Sequence, residues 1–294
     1  MQHSHFKDCF LTEEKESVCK EIEKQVKFFA RTSSSSEASH FCAVIGGDSI
    51  LPTTTGIGEE IVAKFVQDPT NQCREMPHYS LFVWTGLRDE DIEGVFTYKQ
   101  EEFLNITSWH EGEPNGDHVE NCAELRLFGA KKGTLNDEEC QRVTDCTACS
   151  IQEPAMFFLR GMCQETEMDP TYFLLFSMDP GAKYTFYGAS ISKIRWNPGL
   201  GKWIIQGLMG NTTKASARTG HLDYPLGLKN WSIEDGACKG ETVELSLTSC
   251  NETSFACDNG ICIPMENKCD KNFDCEDKSD ERDCNIVIIP KSGF

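Results

Sequence analysis

The residues best suited to chemistry lie between Gly112 and Cys140, GEPNGDHVENCAELRLFGAKKGTLNDEEC. There Glu113, Asn115, Glu120, Asn136 and Asp137 offer carboxylate and amide oxygens from two segments, with Cys122 and Cys140 placed to clip those segments together. Calcium takes about six to eight oxygen ligands in a flexible shell, so this mixture of Asp, Glu and Asn reads as a calcium site. Pro114 separates the first two ligands, and an X-Pro bond can take the cis form in a tight turn. A second concentration runs from Cys250 to Cys284, with six cysteines in 35 residues. So short a segment cannot bury a core, and disulfides and a metal must hold it. Asp270, Asn272, Asp274 and Glu281 follow EF-hand spacing, but Cys275 stands at the sharp-turn glycine and cysteines replace the flanking helices.

Other groupings carry less. Ser190 to Ser192, His221 and Asp223 make a triad only on paper, since no strained nucleophile turn surrounds the serines. Cys146-Thr-Ala-Cys149 has the spacing of a redox dithiol, yet structural pairing accounts for both cysteines. His3, His5, His110 and His118 are too scattered to argue for zinc. With no nucleophile, base and oxyanion arrangement to assemble, the chain reads as a binding protein and not an enzyme.

The elements that must position these residues follow from periodicity. Thr12 to Ala30 reads as a polar helix with Val18, Ile22, Val26 and Phe29 on one side, and Cys9 within reach of Cys19. A helix follows with Ala38, Phe41, Cys42 and Ile45 at helical spacing, stopped by Gly46-Gly47, and another covers Glu59 to Val66 before Asp68-Pro69. LFVWTGL (81–87) and VFTYKQ (95–100) read as strands joined by an acidic turn. Residues 153 to 248 carry β-type runs at MFFLRGM, YFLLFSM, YTFYG, SKIRW, KWIIQGL and VELSLTSC, which suggest an antiparallel sandwich or barrel with Cys163 and Cys238 as its one possible internal pair.

Composition sets the compartment. Sixteen cysteines in 294 residues, an even number, fit an oxidising environment. Sequons at Asn105, Asn211, Asn230 and Asn251 agree with a secreted or ectodomain chain. A net charge of -19 argues against nucleic acid, whose phosphates call for a basic surface. No apolar run has the length of a membrane span, and MQHSHFKDCF lacks the apolar core of a signal peptide, so a mature or shortened form is expected.

On these residues the stretch from about 36 to 151 resembles a C-type lectin domain. SEASHFCAVIGGDSILP resembles its first helix, VWTGL its central strand motif, Glu113-Pro-Asn115 its long loop after Trp109, and Asn136-Asp137 its closing strand. The resemblance implies the pairs Cys42–Cys149 and Cys122–Cys140, leaving Cys73 and Cys146 to pair. It also implies calcium on Glu113, Asn115, Glu120, Asn136 and Asp137, with open positions for two adjacent sugar hydroxyls. Glu-Pro-Asn goes in that family with the equatorial hydroxyls of mannose-like sugars. Two departures stand out: Leu135 where the family has tryptophan, and a loop from Asn115 to Glu120 one residue shorter than in many relatives. The shorter loop puts in question a secondary calcium site to which Asp89, Glu93, Asp117 and Asn121 would contribute.

Cys250 to Cys284 resembles a low-density lipoprotein receptor class A repeat, with the Phe255 and Ile263 core pair and the DCEDKSDE signature. That resemblance implies Cys250–Cys262, Cys257–Cys275 and Cys269–Cys284. It implies calcium on the side chains of Asp270, Asp274, Asp280 and Glu281 and the carbonyls of Asn267 and Asn272. Position 267 carries an aromatic in repeats that grip a partner's lysine, so Asn267 counts against lysine capture.

The expected organisation is a helical leader (1–33), an α+β C-type lectin-like domain (34–152), an all-β module (153–248), a small disulfide-rich calcium-binding repeat (249–285) and a tail (286–294) that reads as cut short. It resembles invertebrate multidomain extracellular or receptor ectodomain proteins. The function expected is calcium-dependent binding of glycans with mannose-like hydroxyls. The alternative is an ectodomain whose class A repeat binds a basic protein partner.

Overall fold

Burial along Lys24–Ser33 decides how the first half of the chain is built. Phe28 and Phe29 are adjacent and both fully buried, which a strand achieves by sending them to opposite faces. Phe28 meets Phe65 at a ring separation of 5.0 Å, and Phe29 meets Phe41 at 5.1 Å. In the computed structural model, described for residues 7–11, 17–21, 24–68, 71, 73, 82–99, 104–152, 154–163, 168–175, 184–209, 212–219, 224–236, 238–282 and 284, Lys24–Ser33 is a β-strand. It follows two shorter ones, β1 (Lys7–Leu11) and β2 (Ser17–Glu21), whose register sets Cys9 opposite Cys19. This corrects the helix expected over Thr12 to Ala30 for residues 17–21 and 24–30; 12–16 and 22–23 lie outside the described residues. The apolar residues there do fall at helical spacing, but the strand's long antiparallel partner, residues 144–152, lies more than a hundred positions away. Pairing at that distance overrides a local pattern.

The rest of this unit follows in order: α1 (Ser35–Val44), β4 (Asp48–Ser49), α2 (Thr55–Gln67), β5 (Phe82–Arg88), β6 (Cys122–Arg126), β7 (Leu135–Glu138) and β8 (Thr144–Gln152). Lys24–Ser33, as β3, pairs with β8, which also pairs with β4; the second sheet runs β5-β6-β7. Glu37 caps α1 by accepting from Ser34 N–H at 2.8 Å, while Thr54 Oγ1 accepts from Ile57 N–H at the start of α2. Within the VWTGL strand, Trp84 donates from Nε1 to Ser33 O at 3.1 Å and Thr85 Oγ1 donates to Ala123 O at 2.7 Å, which ties β5 into both sheets. Among the described residues of the VFTYKQ stretch, Thr97 and Tyr98 are isolated bridge residues, Thr97 pairing with Arg88, and Lys99 then turns the chain with φ 52°.

Phe157, Phe186, Trp203 and Trp231 are fully buried in the second unit. They fill a closed antiparallel barrel of β9 (Ala155–Arg160), β10 (Thr171–Leu175), β11 (Thr185–Gly188), β12 (Ser192–Asn197), β13 (Lys202–Gly207), β14 (Thr213–Ala217), β15 (Gly227–Ile233) and β16 (Thr242–Thr248). Of the two architectures expected, the barrel is the one formed. Its two unexpected strands, β14 and β15, lack the branched alternation that marks the others. Ala215 and Ala217 lie opposite Ile205 and Trp203, so small residues there make room for large ones. Asp169, almost fully buried, closes one end. It accepts from Ser190 N and Oγ, Ile191 N, and Ser192 N and Oγ, all within 3.0 Å.

The last segment carries β17 (Ser254–Ala256) and β18 (Cys262–Pro264), with Phe255 opposite Ile263 over a small core of Cys257, Ile263 and Cys275. Disulfides join Cys42–Cys149, Cys73–Cys146, Cys122–Cys140, Cys163–Cys238, Cys250–Cys262, Cys257–Cys275 and Cys269–Cys284. No helix among the described residues is long and apolar enough to cross a membrane.

Candidate calcium and carbohydrate site

Strands β6 and β7 lie side by side, and the disulfide Cys122–Cys140 fastens their ends. Their register sets Ala123 against Asp137 and Glu124 against Asn136. The loop that faces them is fixed from below: Leu135 N–H donates to Ser108 O at 2.8 Å and His110 N–H to Leu135 O at 2.9 Å. Leu135 is fully buried with Trp109 packed on its cluster, and Trp109 in turn meets Phe96 at 4.6 Å. The leucine therefore serves the packing beneath the site.

At the loop tip the Glu113–Pro114 bond is cis. Asp137 Oδ2 accepts from the N–H groups of Asn115 and Gly116, each at 2.9 Å, which brings loop and strand together. Asn115 Nδ2 donates to Glu113 Oε2. Glu120 folds back over Gly116, where a Cβ would lie 2.1 Å from Glu120 Oε2, so glycine is what lets the shortened loop close. Glu113, Asn115, Glu120 and Asp137 thus come together, with Asn136 next to Asp137 on β7 and its amide nitrogen turned to Glu124 and the Asp137 carbonyl. Burial, proton sharing with Asp137, and repulsion from Asp137 and Glu120 push the Glu113 carboxyl up to about 7. Burial and the charge of Asp137 raise Glu120 as well. Such crowding of carboxylates without a cation is what a metal site looks like to its own ligands.

Unsatisfied oxygens test the fit. Asp137 is 3% exposed and no donor reaches its Oδ1. Asp89 Oδ1 and Asn121 Oδ1 are likewise buried without partners, while Asp89 Oδ2 accepts from Gly94 N–H at 2.9 Å. Buried acceptors left undonated are destabilising unless a cation or water serves them, so the oxygens fit calcium at the main site. At the secondary group the fit is partial. Glu93 Oε2 pairs with His118 Nδ1 at 3.0 Å, and Asp117 is exposed.

Sequence reasoning did not single out Glu124 and Arg142. Glu124 is fully buried beside Asn136, whose Nδ2 donates to its Oε1 at 3.4 Å, and Arg142 Nη1 reaches both its oxygens at 2.8 and 2.9 Å and Glu138 Oε2 at 2.6 Å. Burial pushes Glu124 up to about 7 despite the guanidinium. Alternation along Cys122–Arg126 gives no signal for it, since Cys122, Ala123, Glu124 and Leu125 are all buried and the apolar pair Ala123 and Leu125 would assign Glu124 to the opposite face.

In the cysteine-rich segment Asp280 is fully buried. Its Oδ2 accepts from Asp274 N–H at 2.7 Å and its Oδ1 has no donor. Glu281 Oε1 accepts from Lys271 N–H at 3.0 Å, and Asp270 accepts from Asn272 N–H at 2.8 Å and Nδ2 at 3.0 Å. Asn267 Nδ2 donates to Asp274 Oδ1 at 2.8 Å. Asp277, not among the expected ligands, accepts from Asn259 N–H at 2.6 Å and Ser279 N–H at 3.0 Å. Of the other sequence candidates, Ser190 and Ser192 serve Asp169, and His221, Asp223 and Asn211 lie outside the described residues. Asn105, Asn230 and Asn251 are exposed.

Comparison with known proteins agrees with both modules. The family profile described as Lectin C-type domain matches residues 31–150, and that described as Low-density lipoprotein receptor domain class A matches residues 248–284. The chain therefore carries a C-type lectin domain and a class A repeat, two kinds of module that generally bind calcium and are typically non-enzymatic. It is 41% identical over 50 residues to SCO-spondin of Rattus norvegicus, which covers 17% of this chain and 1% of that protein. It is 46% identical over 49 residues to CD320 antigen of Homo sapiens, covering 16% of this chain and 17% of that protein. The chain thus spans only a small part of these relatives. Among solved structures it is similar to the cow C-type carbohydrate-recognition domain of CD23 in the presence of a GlcNAc2Man3 oligosaccharide. The identity is 22%, the match covers 46% of this chain and 92% of that chain, and the TM-score is 0.35.

Proposed function

We propose that the chain is an extracellular, calcium-dependent carbohydrate-binding protein with mannose-like specificity, working in adhesion or pattern recognition. The observation that carries this reading is the undonated, buried Oδ1 of Asp137 where Glu113, Asn115 and Glu120 gather around that carboxylate. When bound, calcium supplies a hard cation with positions open to two neighbouring sugar hydroxyls. The chain's own residues do the remaining work. Glu113, Glu120 and Asp137 are the anionic ligands, and Asn115 and Asn136 supply amide oxygens. Carboxylate oxygens left over accept from the sugar hydroxyls, while amide nitrogens donate to them. The order acceptor at 113, donor at 115 favours equatorial hydroxyls placed as in mannose, N-acetylglucosamine or glucose.

A glycan array in calcium with an EDTA control, followed by calorimetry, tests this. Mannose-type ligands bind with calcium and are lost in EDTA; binding unchanged in excess EDTA sinks the reading. Glu113→Gln with Asn115→Asp moves preference toward galactose. The competing reading, a class A repeat that captures a basic protein, is supported by the acidic face of Asp270, Asp274 and Glu281 and gains if the array stays silent. It is weakened by Asn267, whose amide already occupies an oxygen of Asp274.

A further inference from the structure

The class A repeat starts almost where the barrel stops. Strand β16 ends at Thr248 and the first cysteine is Cys250, leaving Ser249 as the whole connection. Arg160 on β9 grips this junction, donating from Nη1 to Thr248 Oγ1 at 3.1 Å and from Nη2 to the carbonyls of Cys250 at 2.7 Å and Asn251 at 3.3 Å. A second contact is backbone to backbone. Leu228 N–H on β15 donates to Asp258 O at 2.9 Å. Gly227 beside it has φ 73°, and a Cβ there would lie 2.6 Å from Asp258 O and 3.0 Å from Asn259 C. Only glycine admits so close an approach in that conformation.

The docked segment, Asp258 to Gly260, is held in turn by the acidic loop. Asp258 N–H donates to Ser279 Oγ at 3.0 Å, and Asp277 clasps the N–H groups of Asn259 and Ser279. Ser279 opens the short turn Ser279–Glu281, which carries the buried Asp280. From Asp280 to β15 the path therefore runs through backbone and short side chains alone.

We propose that the class A repeat acts as a calcium-dependent clamp on the barrel: with its carboxylates neutralised, the acidic loop holds Asp258–Gly260 against Gly227 and Leu228 and so protects β15. This rests on the calcium reading of the repeat. Without a cation, Asp280 Oδ1 stays buried and undonated among like charges, which opposes the closed arrangement of a loop otherwise held by the disulfides Cys257–Cys275 and Cys269–Cys284, the Asp277 clasp and the Arg282–Asp258 ion pair. Metal binding to so small a module is folding free energy for it, and whatever the folded loop holds shares in that stabilisation. The repeat in this chain is then turned inward, toward its own neighbour, which agrees with an Asn267 that closes over Asp274 instead of offering an aromatic to a partner.

Hydrogen exchange by mass spectrometry on the full chain, in calcium and in EGTA, tests the proposal. Peptides over residues 254–281 report on the repeat and those over 227–233 on β15. With calcium at about a hundred times its Kd, both slow together, by up to about 100-fold for openings that need the repeat to unfold. Asp280→Asn abolishes both responses, while Asp137→Asn, in the lectin site, leaves both. Gly227→Ala keeps the response of the repeat and loses that of β15. Protection gained by the repeat with none at β15 in the wild-type chain overturns the clamp and leaves the calcium reading standing. If the repeat itself does not respond to calcium, that reading fails and the clamp with it, with no variant needed to see either result.

Discussion

Glu113 is the residue at which proton chemistry bears most directly on the proposed calcium site. Its carboxyl sits at about 7 because burial, proton sharing with Asp137 and repulsion from Glu120 all favour the protonated form. Raised above its ordinary value of 4.5, it contributes stability to the metal-free fold that is fully present below 4.5 and lost as pH rises through about 7. A metal needs the ionised form, so the sign reverses for binding. Calcium affinity at this site falls as pH drops below about 7, and a calcium titration from pH 8 to pH 5 checks it; an affinity flat across that range rejects the role of Glu113. Ligand types and their order in sequence were enough to pick out Glu113, Asn115, Glu120, Asn136 and Asp137. They were not enough to reveal Glu124, whose role as a buried carboxylate under Asn136 depends on the arrival of Arg142 from beyond β7. The Asp277 clasp was hidden for the same reason, since nothing in one acidic run says which carboxylate turns inward.

At the scale of elements the closing of the barrel end by Asp169 offers the sharpest test. Burial alone would raise this carboxyl, but the hydroxyls of Ser192 and Ser190 and the amides of Ile191 and Ser192 hold it below its usual 3.8. Its contribution is present above that value and lost as pH falls through the lowered one. Asp169→Ala strands several buried donors and is expected to destabilise the barrel by about 3 kcal/mol, read from urea unfolding followed through barrel tryptophan fluorescence. A change below about 0.5 kcal/mol, the range of ordinary surface substitutions, rules the cradle out as a structural device. The strands at SKIRW and KWIIQGL were legible because branched and aromatic residues alternate there. TKASA, by contrast, is a strand whose small residues make sense only opposite Trp203 and Ile205. Lys24–Ser33 misled in the other direction, since its apolar residues satisfy a helical period while its partner strand lies at the far end of the domain.

For the whole molecule, two resemblances read from short motifs marked the lectin-type domain and the disulfide-rich repeat, and six of the seven described disulfides fall within the modules so marked, the seventh, Cys163–Cys238, lying in the barrel module. The sequence could suggest a β-rich body between them without telling sandwich from barrel, because closure depends on β16 finding β9 across the whole module. On the proposed reading, a lectin site that reaches a sugar through two hydroxyls is expected to bind a single monosaccharide weakly, and useful retention then depends on many copies meeting many sugars. Chain immobilised at high density therefore holds a mannose polymer far longer than chain at low density does, as off-rates from surface plasmon resonance report. Equal off-rates at both densities argue against multivalent capture.

The pairing of β9 with β16 has one more consequence under that crowding. A closed barrel presents no row of unpaired N–H and C=O groups to which a neighbour could add a strand. The module nearest the class A repeat can thus be packed at high surface density without offering a template for edge-to-edge aggregation.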